Sequence, residues 1–194
     1  MRKAGLISLI LFFLAVLTFA QNEPKEEPKH APSTPAERQR FLALTRKLEQ
    51  SPLDKSLYDE KKWAKKWLED IPDINVNICA PILFGVDFLT EQNKYTPQLS
   101  YQATFGSAAY IIEHPDKAGD LDAQFLAGVE SALKAYSAIV KSEPQAKSKA
   151  LDSVLEKQKQ GKLADFVRSR LRPIEDELAF ETVHLHAGTA WWEK

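Results

Sequence analysis

Cysteine is nearly missing from this chain: Cys79 is the only one in 194 residues. A single cysteine excludes an intramolecular disulfide, so the fold must be held by core packing alone. Cys79 lies in the apolar run NICAPILF with no adjacent cation to stabilise a thiolate. It therefore reads as a small buried hydrophobe, not as a nucleophile. Glycine is scarce too, with seven in all, which leaves little material for tight phosphate-binding turns. Neither a Gly-rich phosphate loop nor a Gly-x-Ser-x-Gly elbow is present. Net positive charge is also absent. The formal charge is −1, and without Arg2 and Lys3 it becomes −3, with 24 basic residues against 27 acidic ones. A balance this close to neutral argues against a nucleic-acid partner.

What is present begins with an export signal. Arg2 and Lys3 precede an apolar stretch from Gly5 to Phe19, broken only by Ser8 and Thr18. Thr18 and Ala20 put small residues at the −3 and −1 positions of a cut after Ala20. This pattern predicts a signal peptide over residues 1–20 and a periplasmic or secreted mature chain. The apolar run is about 15 residues, short of the roughly 20 that a spanning helix needs. The alternative is an uncleaved N-terminal anchor retaining a structural envelope protein. QNEPKEEPKHAPSTP follows, with four prolines, five charges and no large apolar side chain. It cannot bury enough surface to offset its ordering entropy, so residues 21–34 are expected to form a disordered linker.

About 160 residues remain, enough for one domain with a real core. Their richness in Ala, Leu, Lys, Glu and Gln favours helix. The expected fold is all-α: a single domain of about six helices packed as helical hairpins over residues 35–172. Thr34, Pro35 and Glu37 spell a capping box, after which Phe41, Leu44 and Leu48 recur at helical spacing until Ser51-Pro52. A second helix is predicted from Asp54 or Ser56 to Glu69, stopped by Pro72. Ile74, Val76 and Ile78 alternate like a strand but have no second strand to pair with. A buried irregular segment followed by a short helix is expected there.

Pro97 opens a third helix, in which Gly106, Ser107, Ala108 and Ala109 would let a neighbour approach closely. Asp120 or Asp122 caps a fourth, with Leu121, Phe125, Val129, Leu133, Tyr136 and Val140 on one face and Pro144 at its end. The short link between the two predicts an antiparallel hairpin. Gly161 interrupts the following helical stretch, and Pro173 ends the next. Residues 173–194 form an acidic tail, expected either to dock on the core through Trp191 and Trp192 or to stay partly disordered.

Ala132, Tyr136, Ile139 and Pro144 follow the second-helix spacing of a tetratricopeptide repeat, with Ile139 in place of the usual alanine. Upstream, Gly119, Asp120 and Ala123 stand where that motif has a Leu-Gly pair and an aromatic, and no second copy appears at a 34-residue period. The wider stretch from Pro35 to Val167 resembles small exported bacterial helical proteins of unassigned activity. That resemblance implies the architecture and carries no catalytic residue with it.

For chemistry, HLH offers His184 and His186 at i and i+2, which share a side on a strand, while Glu181 gives E-x-x-H on a helix. A metal-binding or hydrolytic protein built on His184, His186 and Glu181 is the enzymatic alternative, although a catalytic zinc needs three protein ligands. No cofactor motif is present. Asp116, Asp120 and Asp122 gather in one turn, but the twelfth position of a calcium loop counted from Asp116 is Ala127, so they read as helix caps.

The run EKKWAKKWLED interleaves lysine with Trp63 and Trp67. Either the tryptophans anchor in the core while the lysines line the wet face, or the helix Lys61–Leu68 touches a membrane surface. From Lys141 to Arg172 nine basic residues stand against four acidic ones, whereas the stretch from Pro173 carries five acids and one lysine. The simplest expectation is that the tail folds back on this basic stretch; an anionic partner is the other. The reading these features favour is an exported, non-enzymatic module that binds a protein or peptide of the cell envelope. Trp63, Trp67, Tyr101, Tyr110 and Tyr136 are its candidate groove aromatics, and Lys134 is a rim charge.

Overall fold

The computed structural model describes residues 31–76 and 93–175. Among them are six α-helices and no strand, so the domain is all-α. They are α1 (Pro35–Gln50), α2 (Tyr58–Asp70), α3 (Thr96–Glu113), α4 (Leu121–Ser142), α5 (Lys149–Lys159) and α6 (Leu163–Glu175). Single 3₁₀ turns at Lys55–Leu57, Pro115–Lys117 and Pro144–Ala146 introduce α2, link α3 to α4 and follow α4.

Local chemistry accounts for most of the ends. The capping box at α1 is complete: Thr34 Oγ1 accepts from the Glu37 N–H at 3.3 Å, and Glu37 Oε2 accepts from the Thr34 N–H at 2.8 Å. Asp120 caps α4 by accepting from the Ala123 N–H at 3.0 Å, and Ser148 caps α5 by accepting from Leu151. At the end of α5, Gly161 takes φ +70°, and the N–H of Lys162 closes back on the Lys157 carbonyl at 2.8 Å. This is a Schellman stop, and it requires the left-handed conformation that glycine adopts without strain. One boundary differs from expectation, because α6 runs through Pro173 to Glu175. Pro173 has no N–H to give to the Ser169 carbonyl, and the helix continues through it with that one intrahelical bond missing.

The α3–α4 hairpin is the centre of the fold and its most extensive helix pair. Its closeness has a specific cause. A Cβ on Gly106 would lie 2.4 Å from Ser131 Cβ and 2.9 Å from the Ala127 carbonyl oxygen; one on Gly128 would lie 2.7 Å from the Ala103 carbonyl oxygen. The backbones meet there because both side chains are hydrogen. The Ser107 hydroxyl reinforces the crossing by donating to the Gln124 carbonyl at 2.8 Å.

The hairpin separates two apolar clusters. On one side, Leu99 and Ala103 of α3 pack with Phe125, Val129, Leu133, Tyr136 and Ile139 of α4, and α5 and α6 close over them with Leu151, Val154, Leu163, Val167 and Leu171. On the other, Phe105, Ala108 and Ile111 of α3 meet Phe41, Leu44 and Leu48 of α1 and Ala64, Trp67 and Leu68 of α2. α3 thus feeds both clusters and is buried nearly all round, which explains why its sequence lacks one clean polar face. Phe41 anchors the second cluster, with its ring 5.0 Å from Trp67 and 5.2 Å edge-on from Phe105.

After α2 the chain is irregular through residue 76, as expected, and buries Ile71, Ile74 and Val76 in this cluster. Asp73 turns out between them and ties down the start of the domain. It accepts from the Ser33 N–H at 2.8 Å, the Ser33 hydroxyl at 2.7 Å and Arg38 Nη2 at 2.8 Å. Burial works to raise the Asp73 carboxyl, but these donors together hold it below the ordinary aspartate value. The expected signal peptide, nearly all of the linker, Cys79, the short helix after Val76 and the tail beyond Glu175 lie outside the described residues.

Candidate functional site

Two helical stripes face each other across a gap. Along α2, Tyr58, Lys61 and Lys65 are spaced by three and four residues. Along α3, Gln98, Tyr101, Gln102 and Phe105 are spaced by three, one and three. Each set lies on one side of its helix. Between them is a cleft of about 110 Å³, completed by Leu48 at the end of α1, Pro52 of the following loop and Pro97 at the start of α3. Leu48, Pro52 and Phe105 are buried and form an apolar floor, while Tyr58, at 41% exposure, stands at the mouth. Tyr58 is the single exposed large hydrophobic residue among those described.

The two lysines lie along the walls instead of extending into water. Lys65 is only 12% exposed; its Nζ sits 5.4 Å from the Tyr101 ring centroid and 3.8 Å from a Glu69 oxygen. Lys61 is half-buried, and burial lowers the affinity of its amine for a proton, partly offset by the Asp54 carboxylate. Among the described residues no acid lies within ion-pairing distance of Lys61 Nζ. Asp54 is itself engaged, accepting from the Ser56 N–H at 2.8 Å. The neighbouring Lys66 pairs with Asp70 at 2.8 Å and is well exposed, so the four lysines of EKKWAKKWLED divide between cleft and solvent.

Behind the floor, a polar network holds α1, α3 and α4 in register. Gln102 Nε2 donates to the Thr45 carbonyl at 3.2 Å and to Ser131 Oγ at 2.8 Å. Ser131 in turn donates to Glu49 Oε1 at 2.7 Å. Glu49 is 7% exposed and also receives Arg46 at 3.0 Å and Lys134 at 3.3 Å, while Arg46 reaches on to Glu113 at 3.0 Å. A buried carboxylate is tolerated here because donors surround it.

The residues singled out from sequence do not share one surface. Tyr101 lines the cleft. Lys134 stands behind it as a partner of Glu49. Trp67 is buried in the α1–α2–α3 cluster. Trp63 stacks on it at 5.6 Å and carries the Arg40 guanidinium at 3.8 Å on its outer side. Tyr136 is 1% exposed in the other cluster; its hydroxyl donates to Asp152 at 2.8 Å and accepts from the Ser148 N–H at 2.8 Å. Tyr110 lies against the His114 ring at 4.7 Å. His184, His186 and Glu181 lie outside the described residues, and among the described ones no three His, Cys, Asp or Glu side chains gather as a metal site.

The cleft residues that sequence reading left out are Leu48, Pro52, Tyr58, Pro97, Gln98, Gln102 and Phe105. The 3–4 spacing on α2 and α3 was the available signal, but it does not say that those two stripes meet. No family model, curated protein or solved structure matches this chain. Among the described residues no helix is long and apolar enough to cross a membrane.

Proposed function

We propose that this chain is an exported, non-catalytic helical protein that holds a protein or peptide partner in the cell envelope, with the cleft between α1, α2 and α3 as the docking place. One observation carries the reading. An apolar floor opens to the surface between two tyrosines and two lysines, one of which is half-buried without an ion pair among the described residues. Recognition surfaces are enriched in tyrosine around an apolar centre, since aromatic rings supply contact area at low entropic cost. The lining contributes ammonium groups, hydroxyls and amides, which suit holding an anionic group that carries an apolar body. The polar network behind the floor holds the α3 wall against α1 and α4, so less ordering is left to be done on that side on binding.

A photoreactive amino acid at Gln98, on the rim, tests the reading in living cells, with the same substitution at the exposed Gln160 as control. A discrete adduct from position 98, missing from position 160 and lost when Tyr101→Ala is added, is the expected result. The same adducts from both positions would remove the cleft from the account.

A further inference from the structure

On the other side of the α3–α4 hairpin from the cleft, α5 and α6 carry an aromatic ring set between cations. Phe166 of α6 packs on the first cluster but stays half-buried. Lys157 Nζ of α5 lies 5.3 Å from the centre of its ring, and the guanidinium of Arg170, one turn further along α6, lies 5.2 Å from it. Contact with the one ring brings these two charges to one place. Among the described residues neither forms an ion pair, and nor does Lys162 in the turn between the two helices. The nearby acids are engaged elsewhere. Glu156 accepts from Gln160 Nε2 at 3.0 Å and faces Lys159 at 4.0 Å, Asp165 lies 3.6 Å from Arg168, and Asp152 accepts from the Tyr136 hydroxyl at 2.8 Å. This face therefore presents positive charge beside a half-buried ring, with no counter-charge among the described residues. It fits an acidic segment that brings aromatic side chains of its own.

We infer that this face is the docking surface for residues 176–194 of the same chain. Charge complementarity and reach both select that occupant. The segment carries Asp176, Glu177, Glu181 and Glu193 against Lys194 alone, and Phe180-Glu181 and Trp192-Glu193 each set an aromatic ring beside a carboxylate. That is the reverse of the Lys157–Phe166–Arg170 arrangement, so the acids meet cations while the rings cover Phe166. The segment follows directly from α6, the helix that holds Phe166 and Arg170. Extended, it spans at most about 60 Å, against about 20 Å for α6, so it can turn back along the face. Tethering sets its effective concentration there in about the millimolar range, which favours it over a free acidic peptide. Each exposed ion pair is weak by itself, so the docking is reversible. The contact lies across the hairpin from the cleft and stands independently of the docking reading above.

Hydrogen exchange of the purified mature chain, read by mass spectrometry on peptides covering residues 178–193, tests this. At low salt these amides should exchange about tenfold slower than in an isolated peptide of the same sequence, the effect of two exposed ion pairs and one aromatic contact. Lys157→Glu with Arg170→Glu should return them to the isolated-peptide rate. Lys117→Glu with Lys141→Glu makes the same change in net charge at exposed positions away from the ring and should leave protection intact. Glu181→Gln with Glu193→Gln removes the other half of the pairs without touching the domain. It should expose the same amides, whatever the charge reversal on α5 and α6 does to the melting temperature. Amides as fast in the parent as in the isolated peptide overturn the inference. Protection that survives either pair of changes, or is lost equally in the Lys117–Lys141 control, overturns it too. So does protection that disappears on dilution, which assigns the contact to a second copy.

Discussion

Replacing Gly106 or Gly128 by alanine adds one methyl group at the place where α3 and α4 touch. On propensity alone the change should help, because alanine is favoured over glycine in a helix interior by about 1 kcal/mol. The structure predicts the opposite. The new Cβ at 106 would meet Ser131 Cβ at 2.4 Å and the Ala127 carbonyl oxygen at 2.9 Å; at 128 it would meet Ser107 Oγ at 2.5 Å and the Ala103 carbonyl oxygen at 2.7 Å. Backbone atoms cannot swing aside, so the helices must separate along their most extensive contact. Overpacking of this kind costs about 1–3 kcal/mol, and rigid backbone neighbours put these sites at the upper end. Subtracting the propensity gain leaves a net loss of about 2 kcal/mol for either variant. For a domain of this size that lowers the melting temperature by about 4–8 °C. Urea unfolding followed by circular dichroism at 222 nm measures it. Gly119→Ala is the internal control, since nothing lies within 4 Å of its added Cβ, and it should be neutral or mildly stabilising. If Gly106→Ala and Gly128→Ala are as stable as the parent, the close crossing is wrong, and with it the centre of the fold.

Three further outcomes are expected. Glu49→Leu removes the shared acceptor of Ser131, Arg46 and Lys134; because the two cations are about half exposed and can turn to water, the loss should be about 1–2 kcal/mol, below the 3–5 of a fully enclosed pair, read from the same urea midpoints. Gly161→Ala meets no neighbour and is penalised only through φ +70°, so about 1 kcal/mol should be lost without any change in the shape of the unfolding transition. Asp73→Asn tests the tie to Ser33 and Arg38. The folded-state pKa of Asp73 is lowered, so its contribution is present above the ordinary value of 3.8 and fades as pH falls through the folded value. The stability gap between Asp73→Asn and the parent should therefore be full at pH 7 and shrink below about pH 4; a gap that is flat across that range, or widens in acid, contradicts the assignment.

The helices were legible because their signals are local. Thr34 reads Glu37 three residues away, Asp120 reads Ala123, Gly161 ends α5 within one turn, and Ser51-Pro52 stops α1. The small residues at 106–109 announced a close neighbour, and that neighbour is α4. The counterpart Gly128 passed unremarked, because a glycine in a helix does not by itself say what it faces. The irregular path of residues 71–76 was readable from the absence of a partner strand.

What sequence alone determined is therefore the list of rods and their greasy sides: six helices among the described residues with apolar faces at helical spacing, a single cysteine that leaves packing to hold them, and short links that force neighbours antiparallel. Which side chains end up in a common pocket was decided only by the tertiary structure. Tyr101 and Tyr136 look alike in sequence, yet one lines a cleft, and the other is buried because Ser148 and Asp152 satisfy its hydroxyl from another helix. Lys61 and Lys62 are adjacent, yet one lies half-buried along a wall and the other in solvent. The Tyr58–Lys61–Lys65 stripe meets Gln98–Tyr101–Phe105 across some forty residues of chain. Spacing within a helix is fixed by 3.6 residues per turn. Which stripe faces which depends on how whole helices settle against one another around Phe41, Gly106 and Gly128, and that is a property of the packed core.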